Sequence, residues 1–225
     1  MFIFFITFII FTSVSLAETP PVIINNKSYY QIGLNLDILE DPTNKLTIDD
    51  INSSKWSKKF KRSNKKTHNY GFSKSSFWIR FRIKNKNNKQ KLWYLISNYF
   101  LQDEIILFKK TEKGLSIVKT GDKRNFSSRE VKGRPFIFKI YPKDDSLYFL
   151  KISGTTNQID LALHAPEHFM NSMEDETYVM GLFFGLVLAM VAYNLFIFIS
   201  TRSLSYLYYV FYVFFYGINL SIWKG

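Results

Sequence analysis

The chain has 225 residues, 30 Lys and Arg against 18 Asp and Glu, and no cysteine. The missing cysteine excludes disulfide frameworks, thiolate metal sites and cysteine nucleophiles. Three scattered histidines, His68, His164 and His168, leave little for a metal cage. Aromatic residues reach 18%, and a polar, Lys/Asn-rich middle lies between two apolar ends, so the chain is read segment by segment.

Residues 1–17 read as a signal peptide. An apolar run over 2–11 is followed by Ser13, Ser15 and Ala17, small residues that suit cleavage between Ala17 and Glu18. No Lys or Arg precedes the run, and an uncleaved anchor is the other reading. Residues 18–177 form the second segment, an exported domain. Its clearest element is Phe77–Lys84, where Phe77, Ile79, Phe81 and Ile83 alternate with Trp78, Arg80, Arg82 and Lys84. Strict alternation predicts a half-buried strand. Further strands are expected at Tyr29–Leu36, Leu92–Ser97, Glu104–Phe108, Leu115–Lys119, Arg134–Ile140, Leu147–Ser153 and Gln158–His164. One short helix is expected at Thr47–Ser53, capped by Thr47, with Asp49 and Asp50 at its positive end. Short strands at this spacing predict an all-β jelly roll or β-sandwich.

Trp78, Arg80 and Arg82 share the polar face of their strand, and Tyr99 with Phe100 follows another strand. An aromatic ring stacks on the C–H face of a sugar, and Arg donates to hydroxyls or carboxylates. Trp78, Arg80, Arg82 and Tyr99 are therefore the candidate ligand-binding residues; packing of Trp78 under a loop and of Tyr99 into the core is the alternative. Residues 55–66 hold seven basic residues with Trp56 and Phe60 between them. In an exported domain such a run faces lipid head groups, lipopolysaccharide or acidic glycans rather than nucleic acid, or it is a solvated loop. No catalytic constellation, cofactor motif or metal-ligand spacing stands out, so an enzyme is not expected.

Tyr178–Ile199 is 22 residues without a charge, long enough to cross a bilayer. A short turn at 200–203 leads to a second uncharged stretch over 204–223. Together they predict a transmembrane helical hairpin, spans 178–199 and 204–223. Arg202 in the turn places it in the cytoplasm by the positive-inside rule, with residues 18–177 outside. Gly181, Gly185 and Ala189 recur every four residues, and Asn194 is polar within the span. Both features suit packing against other helices of a larger bundle or of a second copy, though a lipid-facing stripe gives the same pattern.

Several segments resemble one receptor family. Leu36–Pro42 (LDILEDP), Leu46–Ile51 and Asn69–Phe81 (NYGFSKSSFWIRF) come first. Thr120-Gly121-Asp122, Arg134–Phe138, Tyr148–Ile152 and Pro166–Phe169 follow in order. In the membrane part come Gly181–Gly185, Tyr193–Phe196 and Ser205–Tyr209. Jointly they resemble the bacterial seven-transmembrane receptors with diverse intracellular signalling modules (7TMR-DISM), with the second type of extracellular domain. The resemblance implies a jelly-roll ectodomain akin to carbohydrate-binding modules in the periplasm, feeding a seven-helix domain of the inner membrane. A cytoplasmic kinase, cyclase or phosphatase usually follows in that family; here only two helices are expected and no output module. The expected function is extracytoplasmic sensing of a small-molecule or carbohydrate ligand for signal transduction. An anchored glycan-binding or envelope-adhesion module without signalling, or a non-functional truncated receptor, stands as the alternative.

Overall fold

The computed structural model describes residues 20–87, 89–111 and 114–224. The signal peptide expected at 1–17 lies outside the described residues. In chain order the elements are β1 (Val22–Ile24), β2 (Tyr29–Gln31), β3 (Asp37–Asp41), α1 (Ile48–Asn52), α2 (Ser54–Ser57), β4 (Lys61–Arg62), β5 (His68–Phe72) and β6 (Ser76–Asn85). They continue with β7 (Trp93–Ser97), β8 (Glu104–Thr111), β9 (Gly114–Thr120), β10 (Phe136–Ile140), β11 (Ser146–Ser153), β12 (Thr156–Ile159), β13 (Leu161–His164), α3 (Pro166–Thr201) and α4 (Leu204–Lys224).

Two mostly antiparallel sheets face each other. The first has the order β4-β3-β6-β11-β8-β9, and the second β10-β7-β13-β2. Strand β6 is the spine of the first sheet. β11 pairs along one edge, while the other edge is shared by antiparallel β3 at Ser76–Arg80 and parallel β1 at Ile83–Asn85. The alternation in β6 decides what it buries. Phe77, Ile79, Phe81 and Ile83 point between the sheets and meet Leu95, Phe136, Phe138, Leu150 and Leu163 in the main core. Each such side chain contributes roughly 1.5–3 kcal/mol on burial. The ectodomain is thus a β-sandwich, as its strand spacing predicts.

The outer faces of both sheets are also covered. On the first sheet, Trp78, Leu39, Phe108 and Ile51 form a second core, with Leu46, Ile48, Trp56 and Phe60 packed against it. The segment through α1 and α2 therefore lies across the strands. Thr47 and Asp50 form a reciprocal capping box that starts α1. On the second sheet, Phe169 in the opening turn of α3 covers Ile96 and Ile137.

Helix α3 starts at Pro166 in its first turn and runs unbroken to Thr201. It is long and apolar enough to cross a membrane. Arg202 adopts left-handed backbone (φ 56°) and closes the helix, its N–H donating to the Phe198 carbonyl at 2.7 Å. Helix α4 turns back against α3, with Gly217 close to Val187.

Candidate functional site

The turn after β3, the end of β5, the start of β8, the loop after β9 and the end of β11 gather on one side of the sandwich. There a cleft of about 990 Å³ opens between the turn at Asn44, the segment Phe72–Lys74, the start of β8 and the loop at Lys123–Arg124. Gly154 lines it, and Gly121 packs behind the lining residues Asp103 and Glu104. A Cβ on Gly121 (φ +149°) would lie 2.2 Å from the Asp103 carbonyl oxygen, and one on Gly154 would lie 2.9 Å from the Gln102 amide nitrogen. Gln102 is buried; its Nε2 donates to Asn157 Oδ1 at 2.8 Å, and its Oε1 has no partner among the described residues.

Charged and polar groups line the cleft. Lys123 Nζ donates to Asp103 Oδ2 at 2.6 Å, Thr155 Oγ1 reaches the same oxygen at 3.5 Å, and Arg124 pairs with Glu104. The Asn44 amide donates to the Lys74 carbonyl at 2.5 Å, tying two rims together. Beneath that turn, Asp41 is 2% exposed. Burial alone would raise its pKa. Hydrogen bonds from the Thr43 hydroxyl and the N–H groups of Leu46 and Thr43, with the Lys151 charge, hold it below the usual carboxylate range. At the mouth stands Phe72, 86% exposed. An open aromatic face beside fixed donors and acceptors is the combination that a polyol ring requires.

A second cavity, of about 790 Å³, lies where α3 leaves the sandwich. Asn98, Phe100 and Arg134 line it from the loops, and Met173, Glu176 and Gly181 from the helix. The Arg134 guanidinium stacks 3.9 Å over Phe100. At the start of the helix the Nδ1 atoms of His164 and His168 lie 3.2 Å apart, with Tyr29 stacked on His168. Burial, then the neighbouring His168, pushes the His164 pKa down to about 4.

The residues singled out in the sequence lie elsewhere. Trp78 is 1% exposed and stacks on Phe108 at 5.4 Å. It is a core residue under α1 and α2, which is the packing alternative for Trp78 and not an exposed ligand-facing ring. Arg80 donates to Asp37 Oδ2 (3.0 Å) and Ser57 Oγ (2.9 Å) and lies over Phe60 at 4.5 Å, pinning that cover to the sheet. Arg82 forms a forked pair with Asp145, at 3.2 and 2.6 Å. Tyr99 is half-buried, its hydroxyl hydrogen-bonded to Thr156 Oγ1. These four residues therefore form no single exposed face. Along α3, Gly181, Gly185 and Ala189 are exposed, with no atom within 4 Å of a Cβ built on either glycine. Asn194 Nδ2 donates to the Met190 carbonyl at 2.8 Å, one turn back in its own helix. Within the described residues this stripe has no helix packed on it; α4 lies on another side.

Phe72 lies five residues before the strand expected at Phe77–Lys84, but a ring beside Gly71 in left-handed backbone (φ 61°) has no periodic signature. The polar partners at Asp103, Lys123 and Thr155 come from three separate loops, which no local pattern joins. Among the described residues no group of three or more metal-ligating side chains converges.

Comparison with known proteins matches the fold and the membrane segment. Residues 33–165 match the family description "7TMR-DISM extracellular 2", and residues 176–225 match "7TM diverse intracellular signalling". No curated protein matches the chain. The first match alone spans more than half of the sequence, and the two follow the order of sandwich then apolar helix. The chain belongs to the 7TMR-DISM receptors, and its sandwich is the extracellular sensing part of a membrane receptor.

Proposed function

We propose that the sandwich senses a carbohydrate ligand in the cleft beside Phe72, by binding and without catalysis, and passes its state to the membrane through α3. The ectodomain lies in the periplasm, and α3 with α4 forms the first part of a multi-pass domain in the inner membrane, where further helices or a second copy pack on the Gly181 stripe. The observation that carries this reading is continuity. The helix that covers Ile96 and Ile137 with Phe169 is the same helix that reaches Thr201. A ligand that prefers one arrangement of the loops shifts the population of helix positions by its differential affinity.

The test is a thermal-shift screen of the full chain in detergent against neutral and acidic oligosaccharides. A ligand at about 100 times its Kd stabilises the fold by roughly 2.7 kcal/mol. F72A is expected to remove the shift while leaving the unliganded melting temperature unchanged. A ligand shift that persists in F72A at the same concentration contradicts the cleft assignment.

A further inference from the structure

Between α2 and β5 runs a groove of about 630 Å³ that is separate from the Phe72 cleft. One wall is the basic run: Lys58, Lys59, Lys61 and Arg62 line it, with Trp56 and Phe60 at its base. The opposite wall is aromatic. His68 and Tyr70 stack at 5.9 Å with an interplanar angle of 10°, and Tyr70 stacks on Phe77 at 4.0 Å. Glu40 is the acidic residue in the lining, and it accepts from the Ser75 hydroxyl at 2.7 Å.

The basic wall is held in place. Trp56 and Phe60 pack on the second core. Arg62 Nε donates to buried Asp37 at 2.7 Å, and Arg80 fastens Ser57. The backbone that carries the lysines is therefore fixed before any ligand arrives, which lowers the ordering cost of binding. The two kinds of cation differ. The guanidinium groups of Arg62 and Arg80 converge on Asp37. Lys59 sits over Trp56 at 4.1 Å. Lys58 and Lys61 make no ion pair among the described residues, and residues 55–66 contain no acid. What the groove offers is a row of ammonium charges facing aromatic rings, rather than one forked site for a single phosphate.

We propose that this groove is a second binding site and that it takes a linear anionic polysaccharide of the uronate class. Successive carboxylates meet the lysine row, and sugar faces lie against His68 and Tyr70. A duplex nucleic acid presents its charge on a broad outer surface and hides its rings, so it matches the row of charges but not the aromatic wall. The site is independent of the Phe72 cleft.

The experiment uses the full chain in nanodiscs of zwitterionic lipid, with immobilised polygalacturonate as probe, neutral dextran as control and a DNA duplex of equal charge as competitor. Polygalacturonate is expected to bind and dextran not. The affinity should weaken about tenfold or more between about 50 and 300 mM salt, as screening requires. K58E/K61E should weaken binding at least about tenfold with an unchanged melting temperature, and F72A should leave it unaltered. Should the double variant misfold, K58Q/K61Q gives the same reading with a smaller loss. Absent binding, binding unchanged in the folded double variants, or DNA competing at lower concentration than free polygalacturonate overturns the proposal.

Discussion

Each sheet of the sandwich has its outer face covered by a helical segment, and the two covers are attached differently. Over the first sheet, α1 and α2 are fixed by a capping box, by Arg80 on Ser57, by Arg62 on Asp37 and by a layer of apolar side chains around Trp78. Over the second sheet, the start of α3 is held by Phe169, by the Ala165 N–H on the Ser28 carbonyl (2.7 Å) and by the His164–His168 contact, with a cavity of about 790 Å³ beneath the next turns. The first cover is fastened to its sheet at several points. The second is a narrow contact beside open space, the kind of joint whose position can change without unfolding what it rests on. That the loosely held element is the one leading into the membrane is what a receptor needs.

The contrast can be broken at several points. W78A should do the most damage, destabilising the fold by about 3–5 kcal/mol in chemical denaturation, because it empties the centre of the second core. D37A should cost about 3 kcal/mol, since it strands the charges of Arg80 and Arg62 against the sheet; D37N should recover part of the loss. T47A removes one half of the capping box and should cost about 1 kcal/mol. The effect that is smallest at neutral pH falls on the second cover. His164 holds its proton less tightly in the folded protein than in the unfolded chain, so the unfolded chain binds more protons as pH falls. Stability should be fully present above about pH 6.5 and decline as pH falls from there toward about 4. H164Q should flatten that part of the pH profile, measured by thermal unfolding; an unchanged profile would remove the histidine pair from the account.

Much of the sandwich was legible because alternation and turn chemistry are local. The strand at Ser76–Asn85 and the capped helix at Ile48–Asn52 both follow their predicted patterns. Strand β3 has no strand signature of its own in the sequence, because Asp37 and Asp41 are acids that are nonetheless buried by distant partners. The expected strand at Gln158–His164 is split into β12 and β13 at Asp160, whose carboxylate accepts from Gln31 at 2.8 Å and Asn98 at 3.2 Å. Alternation puts Trp78 on the face of β6 opposite Phe77, but which segment covers that face is decided by tertiary packing, not by period. The same holds for residues 55–66, where Trp56 and Phe60 turn a charge run into an anchored wall. The family resemblance reached the correct receptors through the joint order of motifs that are each loose.

On this reading α3 meets the sandwich through a joint centred on Phe169 that can loosen while the fold stays intact. Hydrogen exchange on the full chain in nanodiscs, comparing wild type with F169A, tests it most directly. Faster exchange is expected in residues 166–177 of the variant, with β6, β7 and β11 as protected as before. Equal acceleration across those strands, or no change in residues 166–177, would contradict it.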